Sequence, residues 1–222
     1  MFKEISAGLR MKVLLVNGSP HKEGCTYTAL TEVAKTLNEE GIETEIFWIG
    51  IKPLAGCIAC KACAKIGHCA FKDRVNDFLG IAKDADGFIF GSPVHFAAAS
   101  GAITSFMDRV FYADLQSGKQ SFYLKPAAAV VSARRAGTTA TFDQLNKYFT
   151  ISGMFVIGSR YWNMVHGAKP EDVAQDLEGL QTMRVLARNM AFFLKCKETG
   201  LKIGVPLPKL EKDILFTNFI RE

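Results

Sequence analysis

The chain has 222 residues, 49% of them hydrophobic, with 27 basic and 22 acidic side chains and a net charge of +5. That length and composition predict a single globular domain spanning residues 1–222. The charge is too small and too scattered for a nucleic-acid surface, the opening MFKEISAGLR is too polar for a secretory core, and no apolar run approaches the ~20 residues of a membrane span. A cytoplasmic protein is therefore expected, and in that compartment clustered cysteines read as metal-binding or redox-active and not as disulfides.

In chain order, Lys12–Asn17 is a short continuous apolar run, as in a strand buried on both faces. The loop NGSPHKEGCT follows it. Gly18 and Gly24 allow a tight turn, Ser19 and Thr26 offer hydroxyl donors, and the helix beyond aims free N–H groups at any anion placed there. A phosphate fits such a loop, although an ordinary Ser/Thr-capped turn uses the same residue types. The spacing is neither the G-x-G-x-x-G fingerprint nor a P-loop. Leu30, Val33, Ala34 and Leu37 then recur at helical spacing and Gly41 stops the helix. Residues 42–49 alternate, with Ile42, Thr44, Ile46 and Trp48 on one side and Glu43 and Glu45 on the other. That pattern predicts a half-buried strand at a sheet edge.

Residues 50–70 form a cysteine-rich loop, GCIACKACAKIGHC, with Cys57, Cys60, Cys63 and Cys69 inside 13 residues. The C-x2-C-x2-C-x5-C spacing departs from the bacterial ferredoxin run, which has three residues before its last cysteine and a proline after it; here Ala70 follows Cys69. Three contents stay open: a [4Fe–4S] cluster on four thiolates, zinc on four thiolates or on three plus His68, and free thiols. Cys25 lies outside the cluster, and Cys196 is expected as a small hydrophobe on a helix.

Val75, Phe78, Leu79 and Ala82 mark a second helix, GFIFG at 87–91 a third strand, and Ile103, Phe106, Met107 and Val110 a third helix. The strand ends in Ser92-Pro93-Val94-His95-Phe96, a small, stiff and aromatic stretch suited to a flat ring edge. A fourth strand at 127–131 leads into Ser132-Ala133-Arg134-Arg135-Ala136-Gly137, whose arginines can hold negative charge. A helix at 142–149, a strand at 154–157 and a last helix opening near Pro170 and ending near Gly200 complete the pattern, with an irregular tail from about residue 201. Alternating strands and helices predict a doubly wound α/β fold with a five-stranded parallel sheet and helices on both faces. The edge character of the second strand suits the flavodoxin-like order 2-1-3-4-5. All three loops then fall at the carboxyl ends of strands, where such sheets bind ligands.

GSPHKEGCT, GSPVHF, SGAITSFMDR, SARRAGT and YWN (Tyr161-Trp162-Asn163) together resemble the NADPH-dependent FMN reductase group of flavodoxin-like proteins, from about Met11 to Gly167. The cysteine loop resembles that of the iron-sulfur flavoprotein branch. The resemblance implies an FMN-dependent oxidoreductase, with NAD(P)H as electron donor and a small molecule or protein as acceptor. It implies that FMN phosphate lies on Ser19, His21, Gly24, Cys25 and Thr26. The ring would lie on Ser92, Pro93, Val94, His95 and Phe96, and on Ser132, Arg134, Arg135 and Gly137. It further implies a homodimer or homotetramer, with Trp162 over a neighbour's flavin. No protein nucleophile is expected, because the cofactor carries the chemistry. A cluster-free NAD(P)H:FMN or quinone reductase, a non-enzymatic flavin electron carrier and a thiol redox sensor are the alternatives.

Overall fold

A computed structural model describes residues 11–209 together with 211, 215 and 217. The first ten residues and most of 210–222 lie outside the described residues; residues 205–209, within the expected irregular tail, form no helix or strand. Seven strands are described: β1 (Lys12–Asn17), β2 (Glu43–Trp48), β3 (Gly87–His95), β4 (Ala98–Ala99), β5 (Pro126–Ala133), β6 (Phe155–Val156) and β7 (Met164–His166). The helices are α1 (Cys25–Glu39), α2 (Ala62–Ile66), α3 (Arg74–Ala82), α4 (Gly101–Ser117), α5 (Thr138–Ile151), α6 (Pro170–Val173) and α7 (Leu177–Lys202). The sheet runs β2-β1-β3-β5-β6, all neighbours parallel. With β5 and β6 as the fourth and fifth predicted strands, this is the predicted order.

The central strands are buried on both faces, which is why they read as unbroken apolar runs. Successive side chains leave a strand in opposite directions. Leu14, Val16, Phe88, Phe90, Ala127 and Ala129 therefore pack beneath α3, α4 and α5. Val13, Leu15, Ile89, Ala128 and Val130 pack beneath α1 and α7. The α3/α4 side holds an aromatic core in which Phe78 touches Phe47, Phe88, Phe90 and Phe106 at centroid separations of 5.3–6.2 Å. Each fully buried phenylalanine contributes on the order of 2–3 kcal/mol of transfer free energy.

Four local readings change. In β2 the buried set is not simply the even-numbered side: Phe47 (7% exposed) turns to the α3 face while Ile42 and Ile46 serve the α1 face. The strand sits at the sheet edge, but its carboxyl half passes under α3. The predicted loop at 92–96 is strand as far as His95, and a tight turn through Phe96 and Ala97 (φ 51° and 60°) returns it as β4. The predicted fifth strand at 154–157 is present as the shorter β6, and beyond a loop at 157–163 the chain adds β7, a strand not predicted; β6 pairs with the start of β5 and β7 with its end. The predicted last helix is two, because Asp176 caps α7 through Gly179 N at 2.9 Å and receives His166 N at 2.7 Å, anchoring a break after α6. Among the described residues no helix is long and apolar enough to cross a membrane.

Candidate functional site

The loops after β1, β3 and β5 meet at one edge of the sheet. Gly18 N donates to Gly91 O at 2.9 Å, and Ser100 Oγ donates to Gly18 O at 3.1 Å, so the first two loops are tied together. A side chain at Gly18 would lie 2.7 Å from that carbonyl and 2.8 Å from Ile103, so only glycine permits this approach. The second and third loops meet at Gly137 (φ 94°), where a Cβ would lie 2.6 Å from Ala97 Cα and 2.8 Å from Val94. First and third loops join through Thr26 Oγ1 and Ser132 Oγ, 2.8 Å apart and both buried.

Two helices open on this edge with their N–H groups unspent. α1 begins after Gly24 and α5 after Gly137; neither has a side-chain cap or an acidic residue in its first turn. By contrast Asp73, Ser100 and Asp176 cap α3, α4 and α7. Uncapped helix N-termini attract anions through free donors and the helix dipole. Arg134 and Arg135 are exposed just before α5 and pair with no carboxylate among the described residues. Asn163 precedes β7. It is fully buried, and neither atom of its side-chain amide has a partner among the described residues. A buried amide left unpaired costs free energy, which a polar ligand or water recovers.

The expected cofactor residues divide by exposure. His21, His95, Phe96, Arg134 and Arg135 are exposed, while Pro93, Val94, Gly24, Cys25 and Gly137 are partly so. Ser19, Thr26, Ser92 and Ser132 are buried. Ser92 spends its hydroxyl internally, donating to Pro93 O at 2.8 Å and accepting from Ser100 N at 3.1 Å. Ser19 Oγ accepts from His21 N at 3.1 Å and leaves its proton free. Cys25 points its sulfur toward Gly167 O at 3.6 Å, and burial pushes its thiol above the ordinary value. Cys196 lies on α7 as expected but is exposed.

The cysteine loop runs across α4. Its four cysteines border one narrow hollow with Phe71, Arg109 and Tyr112. Cys63 is buried, Cys69 partly so, and Cys57 and Cys60 are exposed. The sulfurs do not form a ready coordination geometry: among the described residues no three cysteine, histidine or carboxylate side chains are set to hold a metal ion. His68 directs Nδ1 to Cys69 O at 2.9 Å.

Beside the hollow stands Arg109, 1% exposed, which the sequence did not single out. It donates to Cys69 Sγ from Nε at 3.3 Å and Nη2 at 3.2 Å, and to both oxygens of Asp73 at 2.7 and 2.8 Å. Burial draws its pKa down, and the hydrogen bonds to Asp73 and Cys69 more than offset this. Asn76 fixes the loop's end, accepting from Cys69 N and donating to Cys69 O and Phe71 O. Four thiols beside a buried cation that already donates to sulfur are a donor set suited to an anionic thiolate centre. Trp48 was also missed as a site residue; its indole N–H holds Ser19 O at 2.8 Å. Neither Arg109 nor Trp48 carries a local signal, because each acts on residues about 30–40 positions away.

Known proteins share sequence and fold with this chain. A family model described as NADPH-dependent FMN reductase matches residues 11–169. An iron-sulfur flavoprotein of Methanocaldococcus jannaschii is 36% identical over 191 residues, covering 83% of this chain and 98% of that protein. Another from Archaeoglobus fulgidus is 27% identical over 195 residues, covering 82% and 97%. Among solved structures, RosB with a bound riboflavin-phosphate intermediate superposes with a TM-score of 0.67 at 13% identity, covering 96% of this chain and 95% of RosB. A flavodoxin from the domain Archaea gives 0.56 at 14% identity, covering 83% and 99%. At such identities these two speak for the fold.

Proposed function

Because the chain belongs to the NADPH-dependent FMN reductase family, in its iron-sulfur flavoprotein branch, and is an FMN-dependent oxidoreductase, we propose that NAD(P)H is its electron donor. A small molecule or protein is the acceptor, and the cysteine loop is a one-electron relay. The observation that carries this reading is the meeting of three loops at two uncapped helix N-termini, flanked by Arg134 and Arg135 without carboxylate partners. When bound, FMN exchanges electrons in pairs or singly, which lets a hydride donor serve a one-electron acceptor.

The chain's own residues bind and orient. The α1 N-terminus with Ser19, His21, Gly24, Cys25 and Thr26 holds the phosphate, and Thr26, paired with Ser132, fixes the entry of α1 against β5. Ser92, Pro93, Val94, His95 and Phe96 border the ring on one side, and Ser132 and Gly137 on another. Arg134 and Arg135 favour negative charge on reduced flavin. Cys57, Cys60, Cys63 and Cys69 would hold a [4Fe–4S] cluster, which would supply single-electron transfer, with Arg109, already donating to Cys69 sulfur, stabilising charge there. Phe96, Tyr161 and Trp162 stand exposed and fit contact with a second copy in a cytoplasmic homodimer or homotetramer.

The test is the visible spectrum of anaerobically purified protein, with iron, sulfide and NADPH-oxidation assays. A flavin band with about four irons per chain and NADPH-dependent bleaching is expected. Absence of flavin would overturn the reading. The exposure of Cys57 and Cys60 favours a second reading, in which the loop works as thiols. Failure of cluster reconstitution in a flavin-loaded protein would select that one.

A further inference from the structure

We propose that the cavity between α4 and α5, at the end of the sheet away from the three loops, binds an organic ammonium cation. It measures about 630 Å³, the size of a small-molecule site. Its walls are aromatic: Phe111, Tyr112, Phe122, Tyr123 and Tyr148 line it. The Phe111 ring centroid lies 4.7 Å from that of Phe122 and 5.7 Å from that of Tyr148, so these rings form one continuous surface. Gly153 makes room for another: its φ is 64°, and a Cβ there would lie 2.7 Å from the ring of Tyr123. The face of an aromatic ring carries partial negative charge, and several rings around one space attract a cation, quaternary ammonium groups above all.

Charge decides the sign of the ligand. Asp108 and Asp114 line the cavity, and no lysine, arginine or histidine does. Asp114 is only 5% exposed. Its two oxygens accept from Ser121 N at 3.1 and 3.0 Å, and it forms no ion pair among the described residues. Lys125 feels the charge of Asp114 but directs its ammonium to the carbonyls of Ala82 and Lys83, at 3.5 and 3.2 Å. Asp108 accepts from Tyr148 Oη; burial and that hydrogen bond push the Tyr148 phenol up, so it stays a neutral donor.

A carboxylate withdrawn from water with no cation beside it is costly to the fold. A cation seated in the cavity removes that cost and lays its apolar body against the rings. An anionic ligand would instead enter against two carboxylates, so this is no second place for FMN or a nicotinamide phosphate. Binding here is independent of the function proposed above, because none of the three loops at the other end of the sheet lines the cavity.

The test is a ligand-observed NMR titration of the flavin-loaded protein with choline and with 3,3-dimethylbutan-1-ol, the uncharged carbon analogue of choline. Saturable choline binding is expected, about tenfold or more tighter than that of the alcohol. Asp114→Asn keeps an acceptor for Ser121 N and removes the charge; it should weaken choline about tenfold or more and leave the alcohol unchanged. Ile151 lies at the rim and is 86% exposed, so a charge there is tolerated by the fold. At low salt Ile151→Lys should weaken choline roughly two- to fivefold and Ile151→Glu should strengthen it by a similar factor. No saturable choline binding, equal affinity for choline and the alcohol, or a choline affinity unchanged in both Asp114→Asn and Ile151→Lys would each overturn the proposal. So would displacement of choline by FMN, which would move the cation to the flavin edge. An Ile151→Lys variant that dissociates an oligomer whose parent binds no choline would overturn it too, and would make the cavity a subunit interface.

Discussion

Arg109 shows how much one buried side chain can organise. Its guanidinium joins α4 to Asp73 at the start of α3 and to Cys69 at the end of the cysteine loop. Removing one member of a buried ion pair leaves the other charge uncompensated. Arg109→Met should therefore destabilise the protein by about 3 kcal/mol in urea unfolding. Arg109→Lys should recover only part of this, because lysine lacks the two-pronged geometry. Cys25 carries a different expectation. A thiol at a helix N-terminus is usually made more acidic, yet here burial raises it above its ordinary 9.0. In iron-free protein at pH 8, iodoacetamide should label exposed Cys57 and Cys60 well before Cys25, as mass spectrometry would record. The sign follows for stability: with its folded value raised, the Cys25 contribution is fully present below pH 9 and is lost as pH rises through the folded value. Labelling of Cys25 as fast as Cys57 would show that its burial is not what the structure describes.

At the scale of elements, the telling contrast is between capped and uncapped helices. Asp73, Ser100 and Asp176 satisfy the starts of α3, α4 and α7, whereas glycines precede α1 and α5. A cap contributes about 1 kcal/mol, so two long helices without one have forgone stability at the edge where the loops gather. Reversing the charge ahead of α5 tests whether that edge serves an anion. Arg134→Glu with Arg135→Glu, both exposed, should leave urea stability within about 0.5 kcal/mol and weaken FMN binding by about tenfold or more. Equal FMN affinity in fluorescence titration would remove these arginines from the flavin site.

At the scale of the whole molecule, FMN binding should be felt as global stability, since a ligand that prefers the folded state stabilises it by mass action. FMN at one hundred times its dissociation constant adds about 2.7 kcal/mol. For a chain of this size that raises Tm by roughly 5–10 °C, readable by calorimetry; no shift would mean the edge does not hold FMN in this chain. The sequence by itself determined the layered α/β plan, since strand and helix periods are local properties that survive in any window of the chain. It also determined the strand order, through the half-polar second strand, and the placing of three loops at one sheet edge. What only the tertiary structure decided were relations between distant residues. The addition of β7 beyond the predicted fifth strand depends on the end of β5 that β6 leaves unpaired. The burial of Phe47 depends on α3 lying over the end of β2. The pairing of Thr26 with Ser132, and of Arg109 with Cys69 and Asp73, joins groups 36 to 106 positions apart. No periodicity encodes such contacts, because they come into being only when the sheet brings separate loops within hydrogen-bond reach.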